Sequence, residues 1–341
     1  MKPTLILSLL LVAILSVGCN KDVSQSASNG PEVTQANPLP SVHLANYTLG
    51  NPIQVDNMTV IPLKAKEMQA VDKQPLVDYL TLDEASRKGV IEIKELDNPE
   101  VNLLKVHNTG TQPILLVGGD LLLGGQQDRV VQEDTVVQPG ITMAVKVFCV
   151  EHGRWQGSDK FGSGGKVPWN VRGAAVFDSD QSRVWSEVAT FNAEQHADAS
   201  VTSVRAGISA SDAEIDPKVQ KLLDELQKQP DIVGAVFAIN GEVKAMDAYE
   251  NAKFFQASCG GLLRGFVAQA VSAPNKSTKA PEEKELARFT TQFDEMHSSA
   301  KIGGANGNIA SMASGGYRLK EMRSSGGEPK AQPIHVFMDS K

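Results

Sequence analysis

The sequence predicts an α+β fold with a mixed, largely antiparallel sheet, hairpins and several packing helices. The clearest hairpin signal is the apolar segment 232–247, interrupted by Asn240-Gly241, a dipeptide that favours a tight type I′ turn. Residues 127–137 and 141–150 also alternate like strands, and Gln138-Pro139-Gly140 breaks between them. Helices are predicted where apolar residues recur every three or four positions.

The remaining elements follow from the same two periodicities. A first helix begins at Thr81, with Glu84 at the reciprocal position of a capping box. A later helix is predicted to begin at Asp216, with Pro217 in its first position. Other helices are predicted at 184–191, 251–258, 262–271 and 282–296. The helices at 251–258 and 262–271 lie on either side of Cys259-Gly260-Gly261. Other strands are predicted at 58–63, 90–96, 101–107, 114–117, 317–322 and 334–338, and the glycine-containing stretch 156–180 is predicted to be a loop.

Composition excludes some classes of protein. The chain has 341 residues, 41% hydrophobic and 21% charged, which is ordinary globular composition. A chain of this length can bury about 75% of its unfolded surface without a metal or disulfide. Its net charge is −7, and no stripe of Lys and Arg appears, so we expect no nucleic-acid partner.

The N-terminal residues predict export. Lys2 precedes an apolar run, residues 5–17, that is too short to span a bilayer, and the run ends at Leu15-Ser16-Val17-Gly18-Cys19. This segment resembles a bacterial lipoprotein signal, although Ser16 stands where Leu is usual. The resemblance implies that residues 1–18 are removed and that Cys19 receives lipid chains such as palmitate. An ordinary secretory signal with a nearby free cysteine is the alternative.

The same segment predicts location and domain organisation. Residues 19–44, rich in Ser, Asn, Gln and Pro, are predicted to be a flexible tether, followed by a single domain at 45–338. Asn20 after the cysteine resembles the signal for outer-membrane sorting, so we expect a lipid-anchored envelope protein, facing the periplasm if the cell has two membranes.

That compartment permits a disulfide between Cys149 and Cys259. Two buried free thiols are the favoured interpretation, and the pairing stays open.

A candidate site follows from folding 127–150 into a hairpin. Gln127 would then face His152, Asp128 would face Glu151, and Arg129 would face Val150. Two polar clusters that are distant in sequence would therefore meet at the open end of one hairpin. Arginine forks bind phosphate or carboxylate groups, and a carboxylate accepts from ribose hydroxyls or acts as a general base. The structural alternative is an ion-pair cluster that holds the hairpin together.

These segments also carry a family resemblance. Gly119-Asp120, Gly124, Gln127-Asp128-Arg129 and the segment from Cys149 to Trp155 resemble the signature of the ADP-ribosylglycohydrolase and rhodanese-phosphatase associated domain. Further matches, extending the resemblance over about residues 45–338, are Val233-Gly234-Ala235-Val236, Asn240-Gly241-Glu242, Asp247, Phe255, Leu262-Leu263-Arg264, Tyr317-Arg318-Leu319 and Ile334-His335-Val336-Phe337. The family more usually shows Glu at the place of Asp120. Its context implies ADP-ribose or NAD-derived ligands.

Three hypotheses follow. The first is a membrane-tethered binding or sensory module for a phosphorylated or nucleotide-like small molecule, whose ligand-binding residues are Gly119, Asp120, Gln127, Arg129, Glu151, Arg154 and Trp155. The second is a hydrolase of such a ligand, with Glu151 or Asp120 orienting water. The third is a purely structural envelope lipoprotein.

No metal-ligand spacing and no cofactor motif occurs in the sequence, so we expect neither a metal nor a cofactor. A strand-Gly-acid-strand pattern at 116–122 and 239–243 suggests an internal duplication.

Overall fold

The computed structural model describes residues 33–35, 44–66, 76–154, 156–274, 276–300, 302–303, 308–323 and 333–340. All of them belong to one compact unit, Pro31–Lys341. The α+β prediction is confirmed, because helices and mostly antiparallel strands each account for 34% of the described residues. Within the described ranges, no helix combines the length and apolar character needed to cross a membrane.

One large antiparallel sheet forms half of the fold. Its strands are β1 (Val33–Gln35), β2 (Tyr47–Leu49), β3 (Ile53–Val55), β4 (Met58–Ala65), β13 (Ile232–Ile239), β14 (Glu242–Tyr249), β15 (Ile302–Gly303), β16 (Ile309–Ser314), β17 (Tyr317–Met322) and β18 (His335–Ser340). They lie in the order β1-β3-β4-β13-β14-β18-β17-β16-β15, and β2 also pairs with β4. The predicted hairpin is confirmed: β13 and β14 pair, and Asn240 and Gly241 both have positive φ. The strands predicted at 317–322 and 334–338 are confirmed as β17 and β18, which pair antiparallel.

A six-stranded sheet closes into a barrel beside it. Its strands are β5 (Ile91–Lys94), β6 (Leu103–Asn108), β8 (Asp120–Gly124), β9 (Arg129–Val131), β11 (Thr142–Cys149) and β12 (Phe161–Lys166). Their order is β12-β8-β9-β11-β6-β5. The two outer strands meet, because Lys94 forms a β-bridge with Lys160 and the Glu95 N–H donates to the Asp159 carbonyl at 3.1 Å. The two edge strands of the sheet are thus joined at the end of β5 and the start of β12.

The barrel has a packed interior and one polar end. Inward-facing side chains such as Ile93, Leu122, Val131 and Val147 form a separate hydrophobic cluster. Two further short strands, β7 (Ile114–Leu116) and β10 (Thr135–Val137), pair with each other and contribute to this cluster. The first helix, α1 (Leu82–Lys88), directly precedes β5 and therefore covers the end of the barrel at which β5 begins. We call the opposite end, where Glu95 follows the last residue of β5, the barrel mouth.

Helices join the barrel to the large sheet. They are α2 (Trp169–Gly173), followed by a π-helical turn (Ala174–Asp178), α3 (Gln181–Glu194), α4 (Val204–Ala210), α5 (Asp212–Gln227), α6 (Ala252–Ser272) and α7 (Glu283–Ser299). A continuous core contains outward-facing barrel residues such as Val130, helical residues such as Phe255, and sheet residues such as Phe237. The opposite face of the large sheet packs against α7 through Leu286, Phe289 and Phe293.

The prediction of two helices around Cys259 is wrong, because α6 runs through it without a break. Its glycines allow close packing instead of ending a helix. A Cβ atom at Gly261 would lie 3.3 Å from Lys166 Cγ, and one at Gly265 would lie 2.8 Å from the Val167 carbonyl oxygen. The α6 backbone therefore lies directly against β12 and the residues that follow it.

Other predictions need correction. Helix α5 begins at Asp212, so Pro217 lies inside it, because fully buried Ile215 extends the apolar stripe by one turn. The predicted loop at 156–180 contains β12, α2 and the π-helical turn.

Three residues of the predicted tether form β1 and pair with β3, whereas Cys19 lies outside the described residues. The proposed duplicate segments differ in structure, since 239–243 is a hairpin turn whereas β7 and β8 do not pair with each other. The capping box of α1 is confirmed.

Candidate binding site at the mouth of the barrel

The predicted hairpin has the predicted meeting point but a different register. In β9 and β11, Arg129 lies opposite Cys149 instead of Val150, so the register prediction is wrong by one residue. The loop after β10 does not set this register, because β10 pairs with β7 and the first part of β11 pairs with β6. The two polar clusters nevertheless meet, since Gln127 Nε2 donates to the Glu151 carbonyl at 2.9 Å.

Arg129 points into the barrel. Side chains alternate along a strand, so Arg129 shares the inward face of β9 with Val131. Its side chain has no solvent exposure. Nη1 donates to the Gln127 carbonyl at 2.8 Å, and Nη2 lies 3.9 Å from Glu95 Oε1, beyond hydrogen-bonding distance. Burial lowers the pKa of the Arg129 guanidinium, although the nearby Cys149 and Glu95 oppose this shift.

Several buried polar atoms at the mouth lack a hydrogen-bond partner in the described part of the chain. Arg129 Nε and Nη2, Glu95 Oε2 and Gln126 Oε1 are all buried, and none has a hydrogen-bond partner among the described residues. Gln126 and Glu95 are adjacent, because the Gln126 N–H donates to Glu95 Oε1 at 3.2 Å. Leaving a buried polar group unpaired costs about 1–3 kcal/mol, and more for a charged group. Donors and acceptors without partners are therefore concentrated at one end of the barrel.

Arg154 fastens the chain that follows β11 across the mouth. Its Nε donates to Glu151 Oε1 at 2.7 Å, and its Nη2 lies 2.6 Å from Glu151 Oε2. Its Nη1 donates to the carbonyls of Gly125 and Gln156, and Nη2 also donates to the Gly124 carbonyl. Every N–H group of this guanidinium is thus engaged within the protein, so Arg154 has no donor left for a phosphate in this conformation.

A second arginine reinforces the same closure. Asp128 is fully buried, and both of its carboxylate oxygens accept from Arg205 at 2.6 Å. The Asp128 backbone N–H donates to Glu151 Oε2 at 3.1 Å. Ser203 forms a β-bridge with Glu151, which places the start of α4 against the mouth. The structural alternative predicted from sequence, an ion-pair cluster around Glu151, is therefore present.

Cys149 and Cys259 are both free and buried, as the favoured interpretation predicted. Cys149 Sγ donates to the Glu151 carbonyl at 2.8 Å, and Gln181 pairs through its side-chain amide with both backbone groups of Cys149. Burial raises the pKa of the Cys149 thiol despite the neighbouring Arg129. Burial raises the pKa of Cys259 to about 12. Both thiols are therefore protonated at neutral pH.

Asp120 and Gly119 are not part of the mouth. Asp120 starts β8, whereas Gly124, which accepts from Arg154, ends it. The Asp120 carboxylate forms a buried ion pair with Lys166 and accepts from the Val117 N–H at 2.8 Å. The glycines of this segment, including the predicted ligand-binding residue Gly119, pack against protein, since Cβ atoms would meet Val176 at Gly118, Arg172 at Gly119, Lys160 at Gly124 and Phe161 at Gly125.

A second polar cluster, the intersheet network, joins the barrel to the large sheet. Arg172 pairs with Asp247 through two contacts of 2.6 and 2.8 Å, and its Nε donates to the Gly118 carbonyl. His335 contacts Asp134 Oδ2 at 2.6 Å and Asp247 Oδ1 at 3.0 Å. Burial raises the pKa of Asp247, but Arg172 and His335 outweigh burial and hold it well below its ordinary value.

Sequence reasoning missed two members of this network. Arg172 lay in the stretch predicted to be a loop, and Asp134 carried no motif. A signal was available, because Asp247 interrupts the apolar second half of β14, residues 245–249, and a buried carboxylate requires a cationic partner. The network accounts for three residues of the family resemblance, namely Gly119, Asp247 and His335, by their role in joining two sheets.

The intersheet network predicts a pH dependence of stability. Burial lowers the pKa of His335, but Asp134 and Asp247 outweigh it, so the folded-state pKa is raised above its ordinary value. A raised pKa contributes stability that is complete below the unfolded pKa, about 6.5, and is lost as pH rises through the folded pKa. We expect urea unfolding of His335→Gln to show a flatter decline above pH 6.5 than the wild type. His152→Gln, at an exposed site, is the control, and an unchanged slope in His335→Gln would contradict the assignment.

Gly119 provides a matched test of backbone packing. Its φ is +97°, and a Cβ atom would lie 2.6 Å from two carbon atoms of the Arg172 side chain. Gly140 also has positive φ, at +73°, but a Cβ atom there would meet nothing within 4 Å. We expect Gly119→Ala to lower the free energy of unfolding by about 2 kcal/mol more than Gly140→Ala, because overpacking adds to backbone strain. Equal losses in denaturant titrations would show that Arg172 moves aside freely.

Trp155, a predicted ligand-binding residue, lies outside the described residues. Among the residues that are described, no group of three or more His, Cys, Asp or Glu side chains could hold a metal ion. The mouth thus combines four of the predicted ligand-binding residues, Gln127, Arg129, Glu151 and Arg154, with Asp128, which was predicted to face Glu151. It adds Glu95, Gln126 and Arg205.

Comparison with known proteins gives a family. A model of the ARG and Rhodanese-Phosphatase-superfamily-associated Protein domain (ARPP-1) matches residues 46–330, which is most of the chain. The chain belongs to this family. The ARPP-1 match includes the barrel, its mouth, and the β13–β14 hairpin, and it ends before β18, so His335 lies beyond the matched residues. No curated protein and no solved structure matches the chain.

Proposed function

We propose that this ARPP-1 domain is a binding module that takes a small, oxygen-rich molecule at the barrel mouth. The observation that supports the proposal is the cluster of buried atoms on Arg129, Glu95 and Gln126 that have no hydrogen-bond partner within the described ranges. The mouth of a β-barrel is a common place for a ligand. A ligand that brings both acceptor oxygens and hydroxyl or amide donors would satisfy the two kinds of unpaired atom at once.

The proposed ligand class follows from these groups. Arg129 Nε and Nη2 together form one edge of the guanidinium fork, which suits two oxygens of a phosphate or carboxylate. Glu95 Oε2 and Gln126 Oε1 suit hydroxyl or amide donors, such as those of a ribose. ADP-ribose, NAD and sugar phosphates carry both kinds of group and are the first molecules to test.

Access to this site requires a conformational change. Arg129 is fully enclosed, and Arg154 holds the following chain against Gly124 and Gly125. Release of the Arg154–Glu151 pair would uncover the mouth, and Arg154 is the more exposed partner, with 32% side-chain exposure against 14%. We therefore propose that the Arg154–Glu151 pair is a latch for ligand entry and not a part of the ligand contact itself.

Binding is favoured over hydrolysis. Both Glu151 oxygens accept from Arg154, and Asp120 is paired with Lys166, so neither acid is a free base in this conformation. A purely structural role for the whole cluster is the alternative that the experiment has to exclude.

Thermal-shift titrations of the full chain in detergent would test the proposal. The panel comprises ADP-ribose, NAD, ribose 5-phosphate and inorganic phosphate, applied to the wild type, the double variant Arg129→Met/Glu95→Met, and Arg183→Met, an exposed arginine, as control. We expect a concentration-dependent rise in melting temperature in the wild type and control, absent from the double variant. No rise with any compound, or equal rises in all three proteins, would contradict binding at the mouth.

We further propose that acylated Cys19 holds the domain on a membrane in the cell envelope, facing the periplasm in a cell with two membranes. Two or more acyl chains suffice for stable anchoring. In a bacterial host grown with an alkyne analogue of palmitate, the wild-type chain should take up label and sediment with membranes. Cys19→Ser should do neither. Label retained by Cys19→Ser, or an unlabelled wild-type chain in the soluble fraction, would exclude acylation at this residue.

A further inference from the structure

We infer that a second binding site, for an organic cation with an aromatic or short apolar body, lies in a groove beside the barrel mouth. The groove has a volume of about 390 Å³, which lies within the range of small-molecule sites. One of its lining residues is His152, next to Glu151 of the mouth, and the others come from α3 and the chain between α3 and α4. This site is separate from the proposed function, since Arg129 and Glu95 do not line it.

Small apolar side chains leave the groove open. Ala189 and Ala193 lie on α3, one helical turn apart, and Ala197 and Ala199 follow the helix. Val201, which also lines the groove, is 44% exposed. Apolar surface that stays exposed around a concave site gains free energy when an apolar ligand covers it.

One end of the groove is aromatic. The rings of His152 and Trp185 meet edge to face, with centroids 4.6 Å apart and an angle of 88° between their planes. The Thr202 hydroxyl donates to the His152 carbonyl, so two of the residues that line the groove are bonded to each other. Aromatic rings attract cations through their quadrupole, and indole does so most strongly.

The charge of the residues that line the groove determines whether it attracts a cation or an anion. Asp198 is the acidic residue of the groove, and neither Lys nor Arg is among the described residues that line it. The Ser200 N–H and hydroxyl donate to Asp198 Oδ1 at 2.9 and 2.8 Å, and these bonds lower the pKa of the carboxyl. Asp198 is therefore ionised at neutral pH. The groove attracts a cation and repels the phosphates proposed for the mouth.

Calorimetric titration with two probes of equal ring structure and opposite charge tests the inference. Tryptamine and indole-3-propionate would be titrated into the full-length wild type, Asp198→Asn, Ala193→Trp and the surface control Glu283→Gln. We expect tryptamine to bind the wild type and control alike, about fivefold more weakly to Asp198→Asn, and undetectably to Ala193→Trp. Indole-3-propionate should bind the wild type at least fivefold more weakly than tryptamine.

The outcomes separate this site from the mouth. Undiminished tryptamine binding by Arg129→Met/Glu95→Met would support two independent sites. Equal or tighter binding of indole-3-propionate, an unchanged tryptamine affinity in Asp198→Asn, or no tryptamine binding to the wild type would overturn the inference. Melting curves of Asp198→Asn and Ala193→Trp, both substituted at exposed positions, would establish that a lost signal is not lost folding.

Discussion

Replacing Arg172 with methionine is expected to lower the free energy of unfolding by about 3–5 kcal/mol, because it removes one member of a buried charge network. The guanidinium has 3% exposure, forms two contacts with Asp247, and lies 3.7 Å above the ring of Phe337. Methionine would replace the apolar contacts but would leave the Asp247 carboxylate short of its principal cation. The Gly118 carbonyl would also lose its donor.

Urea denaturation of the purified protein measures this effect. Arg183→Met is the matched control, since Arg183 pairs with Glu187 at 2.8 Å but is 57% exposed. Exposed ion pairs contribute about 0–1 kcal/mol, so the control should unfold close to the wild type. Similar unfolding curves for Arg172→Met and Arg183→Met would show that the intersheet network does not hold the two sheets together.

The double replacement Arg129→Met/Glu95→Met is expected to act in the opposite direction. The Arg129–Glu95 pair is buried, its closest contact is 3.9 Å, and three of its polar atoms have no hydrogen-bond partner among the described residues. Replacing an imperfect buried ion pair with apolar residues of similar volume is often neutral or stabilising by about 1–4 kcal/mol. We expect the unfolding free energy to rise within that range while ligand binding disappears.

The opposite signs of these two changes in unfolding free energy distinguish the barrel mouth from the intersheet network. Groups arranged for a ligand are left unsatisfied in its absence, so their removal stabilises the protein at the expense of function. Groups arranged for the fold are satisfied already, so their removal destabilises it. A loss of 3 kcal/mol or more in the Arg129→Met/Glu95→Met variant, measured with Arg172→Met under the same conditions, would assign the mouth to the fold instead of to a ligand.

Local signals predicted local structure well. The Asn240-Gly241 turn predicted β13 and β14, the Thr81 and Glu84 pair predicted the start of α1, and both were confirmed. Predictions failed where distant contacts decide the outcome. Gly261 was predicted to break a helix, but its place against Lys166 depends on a strand that lies 95 residues earlier in the chain. Barrel closure through Lys94 and Lys160 likewise had no local signal.

The site was predictable only in part, for the same reason. A hairpin brings Gln127 to Glu151 in any register close to the observed one, so their meeting followed from sequence. The inward direction of Arg129 and its position beside Glu95 required the barrel, which places β5 and β9 in one closed wall. The structure also engages every N–H group of Arg154 within the protein, which sequence could not show.

Calorimetric titration of the wild type and of Arg129→Met/Glu95→Met, using the compound that gives the largest thermal shift, is the most direct test of the barrel mouth as a binding site. Loss of two hydrogen bonds to a charged group corresponds to at least about a hundredfold in affinity. We expect saturable binding to the wild type and at least that loss in the double variant. Equal affinity of the two proteins would contradict the account.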